Sequence, residues 1–139
     1  MSERAPWIVV VSETLSDRAL AWLADRVEVR RTDPDHAVSA VADADALIVR
    51  TYTQVNAELL EAAPRLKVVG RAGVALENVD VAACRQRGVE VVHTPAANTL
   101  AVVDYTVRMI IELNRRFWPL SGYLPPDEFH AIRKQSYGR

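Results

Sequence analysis

The chain has 139 residues, half of them apolar and a quarter charged, which is the composition of one soluble globular domain and not of a disordered polymer. A formal net charge of −1 gives no basis for nucleic acid or an anionic membrane surface as partner, and the single cysteine, Cys84, excludes an internal disulfide and a thiolate metal cluster. No apolar run approaches the roughly 20 residues that cross a bilayer, and Glu3 and Arg4 stand where a signal peptide would need another pattern, so a soluble cytoplasmic protein is expected.

Short β-branched runs alternate with helix-like stretches, the pattern of βαβ units around a parallel sheet. Trp7 to Val11 reads as a buried strand, followed by Ser16 as N-cap and a helix over Asp17 to Ala24 with Ala19, Leu20 and Leu23 on one face. Val27 to Arg31 alternates Val with charge as an edge strand does, and His36 to Ala44 carries Val38, Val41 and Ala42 at helical spacing. Ala46 to Val49 is a third strand. Asn56 to Ala63 follows as a helix closed by Pro64, and Leu66 to Val69 as a fourth strand. Gly70 and Gly73 mark a tight loop before a helix over Val79 to Arg87, which Gly88 ends from the C′ position. Val89 to Val92 is the fifth strand.

Thr99 to Phe117 is the longest helix, apolar on one side through Leu100, Val103, Val107, Ile110 and Ile111 and on another through Val102, Tyr105, Met109 and Leu113. Two apolar sides require two neighbours, and a missing domain or a partner chain is expected to supply one. After Trp118 come Pro119, Gly122, Pro125 and Pro126 as a loop, then a short amphipathic helix over Asp127 to Gln135. Five strands with right-handed crossovers predict an α/β, flavodoxin-like three-layer fold with parallel strand order 2-1-3-4-5. Ligands in such sheets gather beyond the carboxyl ends of the strands, here Ser12 and Glu13, Arg50 and Thr51, Arg71 to Gly73, and Thr94 and Pro95.

The segment Gly70-Arg-Ala-Gly-Val-Ala-Leu-Glu-Asn-Val-Asp80 is the most informative: backbone amides after a strand approach an anion closely, and Arg71 adds a fork that fits a carboxylate or phosphate. This segment resembles the Gly-Arg-Ala-Gly-Val-Gly-Val-Asp-Asn-Val-Asp motif of D-3-phosphoglycerate dehydrogenases, within the D-isomer-specific 2-hydroxyacid dehydrogenase family. Leu47-Ile-Val-Arg-Thr-Tyr-Thr53 and Thr94-Pro-Ala-Ala-Asn-Thr99 resemble two further family motifs, in the same order and spacing, and the likeness runs from about Trp7 to Met109.

The resemblance implies a substrate-binding, flavodoxin-like domain over residues 1–98, an interdomain helix over 99–118, and a connector over 119–139 leading to a coenzyme domain that this chain lacks. It implies hydride transfer between a D-2-hydroxy acid and NAD in serine biosynthesis, by an enzyme that is a homodimer when complete. Arg50 and Thr51 would bind the acidic end of the substrate, the amides of Gly73, Val74 and Ala75 its 2-oxo-carboxylate head, and Asn98 would help orient it. Val74 would also touch the nicotinamide end of the cofactor. Ala75, Glu77, Ala96 and Ala97 depart from the family pattern, and a positive φ at any of the alanines would be costly.

No G-x-G-x-x-G follows a strand, so NAD would be held mainly elsewhere, and no catalytic Arg, Glu or His is assigned. His93, His36 and His130 have no partners at metal-ligand spacing, and Cys84 reads as a small buried hydrophobe. A receiver domain would need an aspartate where Arg50 stands, and a flavodoxin a glycine in Ser12-Glu-Thr-Leu-Ser16. The abrupt ending at Tyr137-Gly-Arg139 favours a fragment of an enzyme, inactive alone, over the alternative of a stand-alone binding module for a small 2-oxo or phospho acid.

Overall fold

The structure, a computed structural model, describes residues 7–114 and 122–137. It divides into two compact units, Met1–Ala97 and Asn98–Arg139. The first holds five parallel strands, β1 (Ile8–Val11), β2 (Glu28–Arg31), β3 (Ala46–Val49), β4 (Val68–Arg71) and β5 (Glu90–His93), in the order β2-β1-β3-β4-β5. The expected strand order is therefore the observed one.

Alternation within each strand builds two cores. Val10 of β1 packs with Leu47, Val49 and Val69 on one face, where α2 (Ala37–Ala40), α3 (Ala57–Ala62) and α4 (Val81–Gln86) contribute Ala37, Leu59, Leu60 and Cys84. Val9 and Val11 point to the other face with Ala46, where Leu20 of α1 (Asp17–Ala24) packs beside Leu15 and Val29. Successive side chains of a strand point to opposite faces, so a run such as Ile8-Val-Val-Val11 feeds both cores at once.

The helix starts are fixed locally. Ser16, Asn56 and Asp80 each accept a backbone N–H from the third residue beyond, and each satisfies one amide that the first turn leaves without a partner. The α4 helix ends as its sequence predicts, with Gly88 at φ +70°.

Three expectations need correction. The predicted helix over His36 to Ala44 is a 3₁₀ turn over Pro34–His36, capped by Asp33, running into the single turn of α2. Starting earlier rotates the inward face: Ala37, Val41 and Ala44 are buried, whereas Val38 and Ala42 lie outside. The strand predicted over Leu66 to Val69 is shifted to Val68–Arg71, and Leu66 fills the core from the preceding turn. Gly70 consequently lies inside β4, opposite Ile48 and Val92, and not in a loop. Neither Gly70 nor Gly73 has a positive φ, and no non-glycine residue has one among the described residues, so the alanines at 75, 96 and 97 carry no such strain.

The second unit contains α5 (Thr99–Asn114) and α6 (Pro126–Tyr137). None of the α5 residues is buried, and both of its predicted apolar sides are exposed, Leu100 to 79% and Leu113 to 76%. The predicted continuation of this helix to Phe117, and the predicted loop as far as residue 121, lie outside the described residues.

Leu47 is fully buried at the centre of the sheet, and Leu47→Ala should destabilise the fold by about 2–5 kcal/mol. Gly88→Ala should cost about 1–2 kcal/mol through left-handed backbone strain alone, because a Cβ there meets no neighbour. Urea titrations of the two variants check both values.

Candidate functional site

The order in which strands are added reverses at β1: β2 lies on one side of it, β3 to β5 on the other. The loop after β1 leads to α1 on one face of the sheet, and the loop after β3 leads to α3 on the opposite face. Such a switch point leaves a crevice at the carboxyl ends of the strands. Here the crevice lies between Ser12 to Thr14 and Arg50 to Thr53.

Glu13 crosses it. Its Oε1 accepts the backbone N–H groups of Arg50, Tyr52 and Thr53 at 2.8, 3.2 and 3.1 Å, and its Oε2 those of Thr51 and Tyr52 at 2.9 and 3.2 Å. Four consecutive amides thus converge on one carboxylate, an anion-binding nest filled by a side chain of the same protein. Burial raises the carboxyl pKa, but the bonds from Thr51, Arg50, Thr53 and Tyr52 outweigh it and hold the group below the ordinary glutamate range. Beneath the nest, the buried hydroxyls of Ser12 and Thr53 bond at 2.8 Å. Asn78, also buried, donates from Nδ2 to the carbonyls of Arg50 at 3.1 Å and Thr53 at 2.7 Å, joining this loop to the segment after β4.

That loop fixes Arg50 at the surface, where its Nη1 donates to the Thr14 carbonyl at 3.1 Å. Among the described residues Arg50 has no carboxylate partner. Thr51 beside it is exposed.

The segment after β4 is arranged around a second arginine. The Arg71 side chain is only 10% exposed, with Glu77 at 3.5 Å as its ion-pair partner and a buried Nε that has no hydrogen-bond acceptor among the described residues. Its guanidinium lies directly against Gly73: a Cβ at that position would sit 1.6 Å from Nη1. A side chain at 73 is therefore disfavoured by close approach and not by φ, since it would have to push the end of the Arg71 side chain aside. The Gly73 amide donates to the Arg71 carbonyl at 2.9 Å, whereas the amides of Val74 and Ala75, like those of Leu76, Glu77 and Asn78 after them, have no protein acceptor among the described residues. Both residues are exposed, Val74 to 43%.

The end of β5 braces this turn. His93 donates from Nδ1 to the Val74 carbonyl at 2.8 Å, and the Thr94 amide donates to the Gly73 carbonyl at 3.0 Å. The sequence places Arg50, Thr51, Gly73, Val74 and Ala75 in the site, and the structure sets all five at the carboxyl ends of the neighbouring strands β3 and β4. Asn98 opens the second unit, where its carbonyl receives the Val102 amide at 3.0 Å. Sequence reasoning placed Glu13 at a strand end but did not foresee that Glu13, Asn78 and His93 hold these loops by hydrogen bonds. The available signal was a charged residue directly after a buried strand at a predicted switch point.

Among the described residues no cluster of His, Cys, Asp and Glu is placed to hold a metal ion, and no helix is long and apolar enough to cross a membrane. Cys84 is fully buried, and burial followed by the charge of Asp80 pushes its thiol up, which makes it inert. The crevice also does not fit the pyrophosphate of a dinucleotide, because its backbone nest over residues 50–53 is occupied by the Glu13 carboxylate.

This arrangement matches a known type. Residues 9–137 match the family described as D-isomer specific 2-hydroxyacid dehydrogenase, catalytic domain. The chain belongs to this family. Over 112 residues it is 44% identical to the D-3-phosphoglycerate dehydrogenase of Mycobacterium leprae, an alignment that covers 78% of this chain and 21% of the relative. The D-3-phosphoglycerate dehydrogenase of Archaeoglobus fulgidus is 33% identical over the same shares. Among solved structures, a Thermus thermophilus protein is similar with a TM-score of 0.73 and 28% identity, covering 95% of this chain and 42% of that one. The NAD+-bound 3-phosphoglycerate dehydrogenase of Entamoeba histolytica shares the fold at a TM-score of 0.68 and 24% identity, covering 86% and 43%. The chain thus spans about a fifth of the length of the curated relatives it matches.

Two outcomes follow from the geometry of this family member. Glu13→Gln keeps the shape but replaces one acceptor oxygen by a donor, and should destabilise the protein by about 2–3 kcal/mol. With a folded pKa below the unfolded one, Glu13 contributes stability that is complete above the unfolded glutamate value of about 4.3 and is lost as pH falls through the lowered folded value. Denaturant titrations across that range should show a steeper acid loss in the wild type than in Glu13→Gln. Gly73→Ala should cost about 1–3 kcal/mol by forcing the Arg71 guanidinium aside. Combining it with Arg71→Ala should remove most of that penalty, a coupling that a double-mutant cycle measures.

Proposed function

We propose that this chain is the substrate-binding part of an NAD-dependent D-2-hydroxyacid dehydrogenase of the D-3-phosphoglycerate type. The observation that carries the reading is an exposed Arg50 that has no carboxylate partner among the described residues, held on a loop clamped by Glu13, next to a β4 turn whose Val74 and Ala75 amides have no acceptor among them. Residues 1–98 form the substrate domain, 99–118 the interdomain helix, and 119–139 the connector toward a coenzyme domain. The 44% identity to a D-3-phosphoglycerate dehydrogenase supports this substrate class.

In this reading Arg50, with Thr51 beside it, takes the acidic end of a D-2-hydroxy or 2-oxo acid, and the Val74 and Ala75 amides take its carboxylate head. Gly73 contributes by admitting the Arg71 guanidinium beneath them, which makes the turn electropositive. Asn98 helps to orient the substrate, and Val74 offers an apolar surface to the nicotinamide end of NAD. The whole enzyme moves a hydride between C2 of the acid and the cofactor. The residues of this chain bind and orient, a contribution through positioning and fixed electrostatics. The complete enzyme would be a cytoplasmic homodimer, its partners the acid and the coenzyme domain.

Arg50→Ala should weaken binding of D-3-phosphoglycerate by about ten- to a hundredfold, as expected for removing a charged hydrogen-bonding partner. Isothermal titration of the chain reads this directly. Incubated alone with NAD and D-3-phosphoglycerate, the chain should form no NADH. Turnover by the chain alone, or an unchanged affinity in Arg50→Ala, would overturn the reading.

A further inference from the structure

The turn after β4 is tied down on two sides. Toward β3, the Ala72 amide donates to the Val49 carbonyl at 2.9 Å. Toward β5, the Gly73 carbonyl accepts the Thr94 amide at 3.0 Å, and the Val74 carbonyl accepts Nδ1 of His93 at 2.8 Å. A carbonyl oxygen can only accept, so Nδ1 of His93 carries the hydrogen of that bond.

These two bonds fix more than the carbonyls. A peptide unit is planar, and none is cis among the described residues, so the C=O of one residue and the N–H of the next point in opposite directions from one rigid plate. The Gly73 carbonyl shares its plate with the Val74 amide, and the Val74 carbonyl shares the following plate with the Ala75 amide. By holding the first plate, Thr94 turns the Val74 N–H away from itself. By holding the second, His93 does the same for the Ala75 N–H. Two consecutive amides are thereby aimed from the end of β5, and neither has an acceptor among the described residues. The amides of Leu76, Glu77 and Asn78 also lack one there, but no hydrogen bond from β5 orients their peptide units among the described residues.

The two clamps differ in kind. Thr94 donates from its backbone, which any residue except proline supplies. His93 donates from its side chain, so the orientation of the Ala75 amide depends on the residue type at 93. The histidine is exposed, and its ring is not placed there to fill a core. A carbonyl that accepts a hydrogen bond also polarises its own peptide unit, which makes the Ala75 N–H a stronger donor.

We propose that His93 is a positioning residue for the carboxylate head of the substrate: by holding the Val74 carbonyl it presents the Ala75 N–H as a donor before the ligand arrives. This rests on the substrate-binding reading above and deepens it. A donor already in place spends no binding energy on ordering the turn.

The test titrates two ligands into the chain as wild type, His93→Leu and His93→Asn, read by calorimetry and by backbone amide chemical shifts. One ligand is D-3-phosphoglycerate; the other is glycerol phosphate, which has a hydroxymethyl group in place of the carboxylate. His93→Leu should weaken D-3-phosphoglycerate about tenfold and glycerol phosphate less than about twofold, the effect of one misplaced hydrogen bond to a charged group. An asparagine side chain can set an N–H near the place of the histidine Nδ1, so His93→Asn should recover most of the affinity. It should also restore the Ala75 amide shift that D-3-phosphoglycerate produces in the wild type and that His93→Leu loses. Unchanged phosphoglycerate affinity in His93→Leu, equal weakening of the two ligands, or equal losses in His93→Leu and His93→Asn overturn the role of His93 and leave the substrate reading in place. Wild-type binding of D-3-phosphoglycerate that moves neither the Val74 nor the Ala75 amide, or no binding at all, overturns the substrate reading of this turn and the role of His93 with it.

Discussion

The interaction on which the site depends is the acceptance of four consecutive backbone amides by the Glu13 carboxylate. A parallel sheet whose strand order reverses beside β1 must open a gap there, since the flanking loops leave for opposite faces. In many folds of this shape the gap receives an external phosphate. In this chain an internal carboxylate fills it, and the same bonds that satisfy the Arg50 to Thr53 amides hold the Arg50 side chain at the mouth of the crevice. The buried Ser12 and Thr53 hydroxyl pair and the Asn78 amide extend the tie inward and sideways, leaving little polar backbone of this loop unsatisfied.

Charge is distributed around this clamp with a clear division of labour. Asp45, buried at the opposite end of β3, accepts the Ile8 amide and ion-pairs with Lys67 at 2.7 Å and Arg65 at 3.4 Å, and the Lys67 contact is the main cause of its lowered pKa. Arg30 is equally committed, to Glu28 and Asp43. The cations at the carboxyl ends of the strands are paired far less closely. Arg71 is the extreme case: nearly buried, paired only at 3.5 Å, and pressed against a glycine that has no side chain to displace it. Burying a guanidinium with so little compensation is unfavourable by itself, which is the kind of local conflict that marks a binding site more often than a structural one.

Much of this was legible from residues alone. Ser16 as N-cap, Asp17 to Ala24 as helix and Gly88 as helix terminator follow from local chemistry and hydrophobic period, because caps and alternation act over a few residues and need no distant partner, and the strand order follows from the handedness of βαβ crossovers. The motifs around Arg50 and Gly73 pointed to the family that the match over residues 9–137 then established. The errors have equally physical origins. The Val38 face was misjudged because Asp33 and Pro34 start the turn earlier than apolar spacing suggests. Gly70 read as a loop because a strand glycine carries no local signature, and only its pairing with Ile48 and Val92 places it in the sheet.

The sequence by itself determined the class of fold, the family and the identity of the residues gathered at the strand ends, since each of these rests on short-range pattern or on motifs read in order. The tertiary structure alone decided which of those groups are engaged and which are free. Glu13 meets residues 37 to 40 positions away, Asn78 reaches back 28 and 25, and Arg71 closes over Gly73, so whether an amide or a guanidinium remains available for a ligand is settled by contacts between loops that sequence spacing does not encode.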